Sequence, residues 1–224
     1  MNCPRRLLTI PSSKLQNWLA DQSIAYSRVV HYQGNVAPRK NLENIIRSMR
    51  HWPTDAIFVL VGRGSDTFIS SLKKLATELA VETRLVFTGR VNYTDLFAGT
   101  AGASVGVTLL ESRYPNWRWA AGASNKRFEY LALGIPQVTN PGPGIKELFT
   151  NEGVALSVDP SKPDDIGTAI NKYLSNSELS SQASIRARRL HLSEYNYERQ
   201  FEPVMGWIDA QITSGKHYGS RLPP

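Results

Sequence analysis

Hydrophobic positions along the chain follow a repeating two-step pattern. A short apolar run gives way to a glycine or polar break, and an apolar stripe at helical spacing follows. Val29-Val30-His31-Tyr32 reads as a strand ending at Gly34. Leu42, Ile45, Ile46 and Met49 then recur at i, i+3, i+4 and i+7, the period of a helix starting near Asn41. Ala56 to Val61 is an unbroken apolar run of strand length, as expected when both faces are covered. It stops at Gly62-Arg63-Gly64-Ser65. Asp66 then reads as the N-cap of a helix with Ile69, Leu72, Leu75, Ala76 and Leu79 on one stripe.

The cycle continues. Arg84 to Phe87 is a strand closed by Gly89, Thr94 to Phe97 opens a short helix, and Ala103 to Leu110 is the next strand. An irregular stretch rich in Pro, Asn and Trp runs from Glu111 to Gly122. Ser124 caps a helix through Leu133, with Gly134 and Pro136 as its stop signal. Gln137-Val138-Thr139 is a strand, Ile145 to Phe149 a short helix and Val154 to Val158 a last strand. Three helices complete the pattern: Pro163 to Leu174, Ser177 to Leu190 and Tyr197 to Ile212. Six strands alternating with helices predict an α/β fold with a doubly wound, Rossmann-like parallel sheet. Ligands of such sheets bind beyond the carboxyl ends of the strands, at the point where strand order reverses. Residues 1–27, with a short helix expected from Lys14 to Ala20, read as an N-terminal extension or linker remnant, and 213–224 as a flexible tail.

Composition narrows the function. The 224 residues carry 26 basic and 19 acidic side chains, a formal charge of +7 that favours an anionic partner. Part of that excess, Arg186, Arg188 and Arg189 near Glu178 and Glu194, reads as a solvated helix face. Neither an aromatic RNA-binding pattern nor zinc-finger spacing occurs, so no nucleic-acid partner is expected. One cysteine, Cys3, excludes a disulfide framework, and four scattered histidines offer no metal-ligand spacing. No metal or other cofactor is expected. The longest apolar run is too short to span a bilayer, and no apolar stretch follows Arg5 and Arg6 before Pro11 as a secretory leader would require. A cytoplasmic setting is the expectation.

Three loops could hold chemistry. Gly62-x-Gly64 after a buried strand suggests a dinucleotide site, but Thr67 stands where the third glycine belongs, which weighs against an NAD-type oxidoreductase. Both glycines could equally serve a tight turn. In Gly34-Asn35-Val36-Ala37-Pro38-Arg39-Lys40-Asn41, two cations precede a helix. Cations at a helix N-terminus cost about 0.3–1 kcal/mol each, a conflict that a bound anion would offset. Alternatively, both simply point into water. Ser124, Asn125 and Lys126 repeat the arrangement at a second strand-loop-helix junction. Glu129, a turn further on, suits a ribose, although by spacing alone an exposed i, i+3 partner of Lys126 is the simpler reading.

Taken in order, Tyr32-Gln33-Gly34-Asn35, Arg39-Lys40-Asn41-Leu42, Val61-Gly62-x-Gly64, Phe87-Thr88-Gly89-Arg90-Val91, Ser124-Asn125-Lys126-Arg127-Phe128-Glu129 through Pro136, and Pro141-Gly142-x-Gly144-Ile145-Lys146-Glu147 resemble a known family. They are similar to the C-terminal, donor-binding half of GT-B glycosyltransferases, the large retaining group 1 (family 4-like) that includes glycogen synthases and many polysaccharide-biosynthesis enzymes. The resemblance covers about residues 28–212. It implies a single GT-B half-domain with C-terminal helices, binding a UDP- or GDP-type sugar donor and supporting retaining, hexosyltransferase-like transfer to an acceptor held by a separate domain or subunit. A lipid-linked acceptor would place it peripherally at a membrane, as its positive charge would suit. Lys40 matches the lysine on the donor diphosphate, where it would act catalytically. Asn35 stands where many members have arginine, a contact that Arg39 or Lys126 would replace. Gly34 belongs to the same loop. Gly62, Arg63, Gly64, Arg90 and Val91 match walls of the base pocket, Ser124, Asn125 and Lys126 the loop under the diphosphate and sugar, and Glu129 the ribose carboxylate. Ala121 stands where members commonly carry a sugar-contacting glutamate. The alternatives are a non-catalytic nucleotide-binding module and, less in keeping with Thr67, the oxidoreductase.

Overall fold

The computed structural model describes residues 1–19, 24–111 and 113–213. Apart from Thr213, the expected tail lies outside them. In chain order the elements are α1 (Leu15–Leu19), β1 (Arg28–Gln33), α2 (Leu42–Ser48, continued by a 3-10 turn Met49–His51), β2 (Ala56–Val61), α3 (Asp66–Glu78), β3 (Leu85–Gly89), α4 (Tyr93–Thr100), β4 (Val105–Thr108), α5 (Pro115–Arg118), α6 (Asn125–Leu133), β5 (Gln137–Thr139), β6 (Ala155–Ser157), α7 (Pro163–Ser175), α8 (Ser177–Ser193) and α9 (Tyr197–Thr213). The strands form one sheet in the order β3-β2-β1-β4-β5-β6, with every neighbouring pair parallel. Strand order therefore reverses between β1 and β4.

Alternation along the central strands assigns the two faces. Val30, Tyr32, Phe58 and Leu60 bury one face against α2, α3 and α7. Val29, Ile57, Val59, Val61 and Val86 bury the other against Leu15 and Leu19 of α1. Residues ahead of β1 thus supply part of the cover on the second face. The chain before α1 is tied down as well: the Leu7 N–H donates to His191 Nε2 at 2.9 Å, and the Tyr197 N–H to the Pro4 carbonyl at 2.8 Å.

Some local expectations need correction. The N-cap of α3 is Ser65, whose side chain accepts from the Phe68 N–H, while Asp66 is the first helical residue. A capping oxygen must come from an extended residue outside the helix, and only Ser65 has that backbone. The irregular stretch contains α5, opened by Pro115 at a position where its missing N–H costs nothing. The short helix near Ile145 is a π turn, Lys146–Thr150. No expectation is at stake on α9, where no residue is buried, Phe201 and Ile208 are half-buried and Val204, Met205 and Trp207 are exposed.

Candidate functional site

Beyond the carboxyl ends of β1, β2 and β3 the loops close on one another through main-chain hydrogen bonds. The Gly34 N–H donates to the Val61 carbonyl at 2.8 Å, Val36 to Arg63 at 2.6 Å and Gly62 to Gly89 at 2.9 Å. Gly62 has φ 146°, and a Cβ there would lie 1.8 Å from the Gly34 carbonyl oxygen. The Gly-x-Gly pair therefore serves loop-to-loop approach rather than a tight turn alone. Gly64 makes a bridge to Val36, outside the crevice that results. That crevice, about 340 Å³, includes Gly34, Gly62, Arg90, Val91, Asn125, Lys126 and Glu129 in its lining. Gln33, Tyr93 and Leu96 also line it, three residues absent from the expected site. Only Gln33 left a signal, as a polar residue ending a buried strand.

Glu129 is 6% exposed, not the surface partner of Lys126 that spacing suggested. Gln33 fixes it. Thr100 Oγ1 donates to Gln33 Oε1 at 3.0 Å, so the amide nitrogen faces Glu129 and donates to its Oε2. Burial raises the carboxyl's pKa, while hydrogen bonds from Gln33 and Tyr93 and the Lys126 charge oppose that rise. The result is a buried acceptor, oriented by neighbours and reached from the crevice.

The cations of the site rest on aromatic faces. Lys126 Nζ lies 4.2 Å from the Tyr32 ring centroid, Lys40 Nζ 4.0 Å from that of Trp117, and the Arg39 guanidinium 4.8 Å from that of Tyr114. Lys126 Nζ would also be 3.1 Å from a Cβ on Gly34, so the bare glycine makes room for the ammonium. Desolvation pushes Lys126 down to about 7, and repulsion from Lys40 and Arg127 adds to the effect. Desolvation lowers Lys40 too. Lys40 itself sits between Arg39 (φ 70°) and Asn41 (φ 53°), two non-glycine residues in the left-handed region. Such strain, of order 1–3 kcal/mol per residue, persists only where neighbours impose it. Asn41 Nδ2 donates to the Leu109 carbonyl at 3.0 Å instead of capping α2, which ties this loop to the one after β4.

Other expected residues stand further off. Asn35 is exposed and meets Tyr32, whose hydroxyl donates to its carbonyl at 2.7 Å. Arg63 is exposed, and Ser124 occupies the N-cap of α6 without a side-chain capping bond. Ala121 is buried with Phe128 and Ile145, and its Cβ would lie 3.1 Å from one added at Gly144, so no side chain reaches the crevice from there. Beneath the site, Arg127 is 1% exposed and donates to Thr139 Oγ1, Asn140 Oδ1 and the Ala120 carbonyl. Among the described residues, no three His, Cys, Asp or Glu side chains are grouped to hold a metal ion. None of the described helices is long and apolar enough to cross a membrane.

Comparison with known proteins adds three findings. Residues 20–190 match the family model described as glycosyl transferases group 1. An uncharacterized glycosyltransferase of Methanocaldococcus jannaschii is 27% identical over 149 residues, 66% of this chain and 36% of that protein. A GDP-mannose-dependent alpha-(1-6)-phosphatidylinositol monomannoside mannosyltransferase of Mycolicibacterium smegmatis is 24% identical over 191 residues, 84% of this chain and 48% of that protein. The chain thus spans between about a third and a half of these relatives. Among solved structures, Anabaena HepE with UDP and glucose superposes with a TM-score of 0.73 at 16% identity, over 90% of this chain and 54% of that one. The C-terminal domain of a group 1 family protein from Francisella tularensis gives a TM-score of 0.70 at 14% identity, over 86% and 98%.

Proposed function

The chain belongs to the glycosyl transferases group 1 family and has the Rossmann-like half-domain fold of GT-B enzymes, and from this we propose that its crevice binds a nucleoside diphosphate sugar, of UDP or GDP type, as the donor for hexosyl transfer. One observation carries the reading. Lys126 and a buried oriented carboxylate, Glu129, line one crevice where strand order reverses, and Lys40, outside that lining, is near enough to act on Lys126 by repulsion. Such a set matches a diphosphate joined to a ribose: the cations meet phosphate oxygens and the carboxylate accepts from sugar hydroxyls. Related proteins, one seen with UDP and another GDP-mannose-dependent, agree with that donor class.

The same groups would act in transfer with retention at the anomeric carbon. As the bond from that carbon to the diphosphate lengthens, negative charge grows on the leaving phosphate. Lys40 and Lys126, already fixed, meet that charge without reorganising, which is the condition for electrostatic stabilisation of a transition state. Arg90 and Val91 would flank the base, and Asn125 at the N-terminus of α6 would lie under the diphosphate. The acceptor would come from a second domain or subunit. A lipid-linked acceptor would bring the assembly to a membrane surface.

Calorimetric titration with UDP, GDP, ADP and NAD tests the reading. UDP or GDP should bind, and Lys40→Ala or Glu129→Ala should weaken binding about tenfold or more, the scale of a charge-assisted hydrogen bond. Binding of NAD alone would overturn it. Nucleotide binding without sugar release, even with an acceptor-domain partner, would make the chain a non-catalytic nucleotide-binding module.

A further inference from the structure

Lys126 in the crevice and Lys40 and Arg39 outside its lining are held in an unusual way. Among the described ion pairs, none joins Lys40, Lys126 or Arg39 to a carboxylate. Each lies over a ring instead. Two of those rings belong to the four-residue α5 and the residue before it: Tyr114 and Trp117 stand at i, i+3 and contact edge to face at 5.2 Å between centroids. They receive the consecutive cations Arg39 and Lys40. The third ring, Tyr32, is 1% exposed and is held by the hydrogen bond from its hydroxyl to the Asn35 carbonyl.

A carboxylate partner would hold an ammonium in place but would also neutralise it and compete with any incoming phosphate. A ring attracts the ammonium through its quadrupole, by about 0.5–1 kcal/mol at exposed sites and about 2 kcal/mol when desolvated, and adds no counter-charge. It covers one side and leaves N–H donors free on the other. Lys40 and Lys126 are close enough to repel each other, and the rings hold them against that repulsion. Holding them before the anion arrives removes an ordering cost from binding.

We propose that Trp117 and Tyr32 are positioning residues of the site, each ring holding one amine, Lys40 and Lys126 respectively, so that a diphosphate is received between two side chains that no carboxylate engages in an ion pair. The inference rests on the donor reading only for the identity of the anion's nucleoside. It assigns a role to the stretch after β4, which carries no periodic pattern in the sequence. Trp117 is the side chain to change, because Tyr32 lies in the core and its loss would confound folding with binding.

The test compares the full chain with Trp117→Leu, Trp117→Phe and Trp119→Leu, the last a control at an exposed tryptophan of the same loop. Calorimetry measures pyrophosphate, UDP and GDP binding. NMR of lysine side chains reads the ring-current displacement of the Lys40 Hε signal, assigned with Lys40→Arg. Trp117→Leu should weaken pyrophosphate about five- to tenfold and abolish the displacement, Trp117→Phe should restore most of both, and Trp119→Leu should change neither. Trp117→Leu binding pyrophosphate like the parent chain would overturn the inference, even with UDP or GDP binding intact. Pyrophosphate binding that depends on Trp117, with no response to either nucleotide, would sustain the inference and sink the donor reading. No pyrophosphate binding at all would overturn both.

Discussion

The two banks of the crevice are built from different materials. On the β1–β3 side the wall is main chain: loops joined by backbone hydrogen bonds, with glycine at the closest approach. On the β4–β5 side it is side chain: Asn125, Lys126 and Glu129 line it, Arg127 reaches two loops from below, and Trp117 and Tyr114 lie against Lys40 and Arg39 beside it. The difference predicts opposite tolerances. A main-chain wall accepts many side chains that point away from it but no added atom at the contact, because neither partner can rotate clear. A side-chain wall can lose a member and keep its backbone, yet its electrostatics change at once.

The sharpest way to break this contrast is Gly62→Ala. The new methyl would meet the Gly34 carbonyl oxygen at 1.8 Å, in a backbone region closed to side chains. Separating the loops costs hydrogen bonds as well as strain, so a loss of about 3 kcal/mol or more in urea denaturation is expected, or no folded protein. A loss below about 1 kcal/mol would show that the loops separate freely, and the distinction between the banks would disappear.

The seam between the banks makes a smaller test. His31 on β1 is fully buried beside Tyr130 of α6, whose hydroxyl donates to the His31 carbonyl at 3.0 Å. Nδ1 faces that same hydroxyl, and Nε2 has no partner among the described residues. Burial, aided by the Lys126 charge, pushes the imidazole down to about 3 from 6.5. Between those values the unfolded chain binds a proton that the folded chain refuses. Stability from this group is complete above about pH 6.5 and falls as pH drops toward 3, by about 1.4 kcal/mol per pH unit. Denaturation curves across that window should show the slope, and His31→Gln should flatten it. An unchanged slope would mean that other groups govern acid sensitivity at the seam.

How much of this was legible in the sequence follows the same division. Main-chain features left local signals. Six strands stood out, β1, β2 and β3 as runs ended by glycine, and Gly62, Gly64 and Gly134 marked places where backbone geometry demands that residue. Glu129 and Lys126 were visible as chemistry, but spacing described them as a surface pair because nothing local reveals that Gln33, 96 positions away, turns the carboxylate inward. The aromatic supports were hidden for the same reason. Lys40 and Trp117 meet across 77 positions of chain, within a stretch whose prolines and asparagines announce a loop but not its contacts. Leu15 and Leu19 likewise gave only a weak helical pattern, and their role as cover for Ile57 and Val59 depends on the finished sheet.

Arg127 puts the side-chain bank to its finest test, because removing it should barely affect stability. A buried guanidinium invites the expectation of a large loss, yet each acceptor it serves retains another bond. The Ala120 carbonyl also accepts from Ala123 and Ser124, Asn140 Oδ1 accepts from the Leu110 N–H at 3.0 Å, and the Thr139 hydroxyl donates to the Thr108 carbonyl at 3.2 Å. Among the described residues no carboxylate forms an ion pair with it, and desolvation already pulls its pKa down to about 10. Exchanging it for an apolar side chain of similar length therefore removes a desolvation penalty along with the hydrogen bonds, and such exchanges are often neutral. Arg127→Met should change unfolding free energy by less than about 1 kcal/mol. The crevice should still respond. Arg127 is among the charges that depress Lys126, so its removal should raise the Lys126 pKa above about 7, readable by NMR titration of that amine. A loss above about 2 kcal/mol would show that the bonds of Arg127 outweigh its charge. An unmoved Lys126 would show that the bank is held together by packing and that this buried cation does not shape its field.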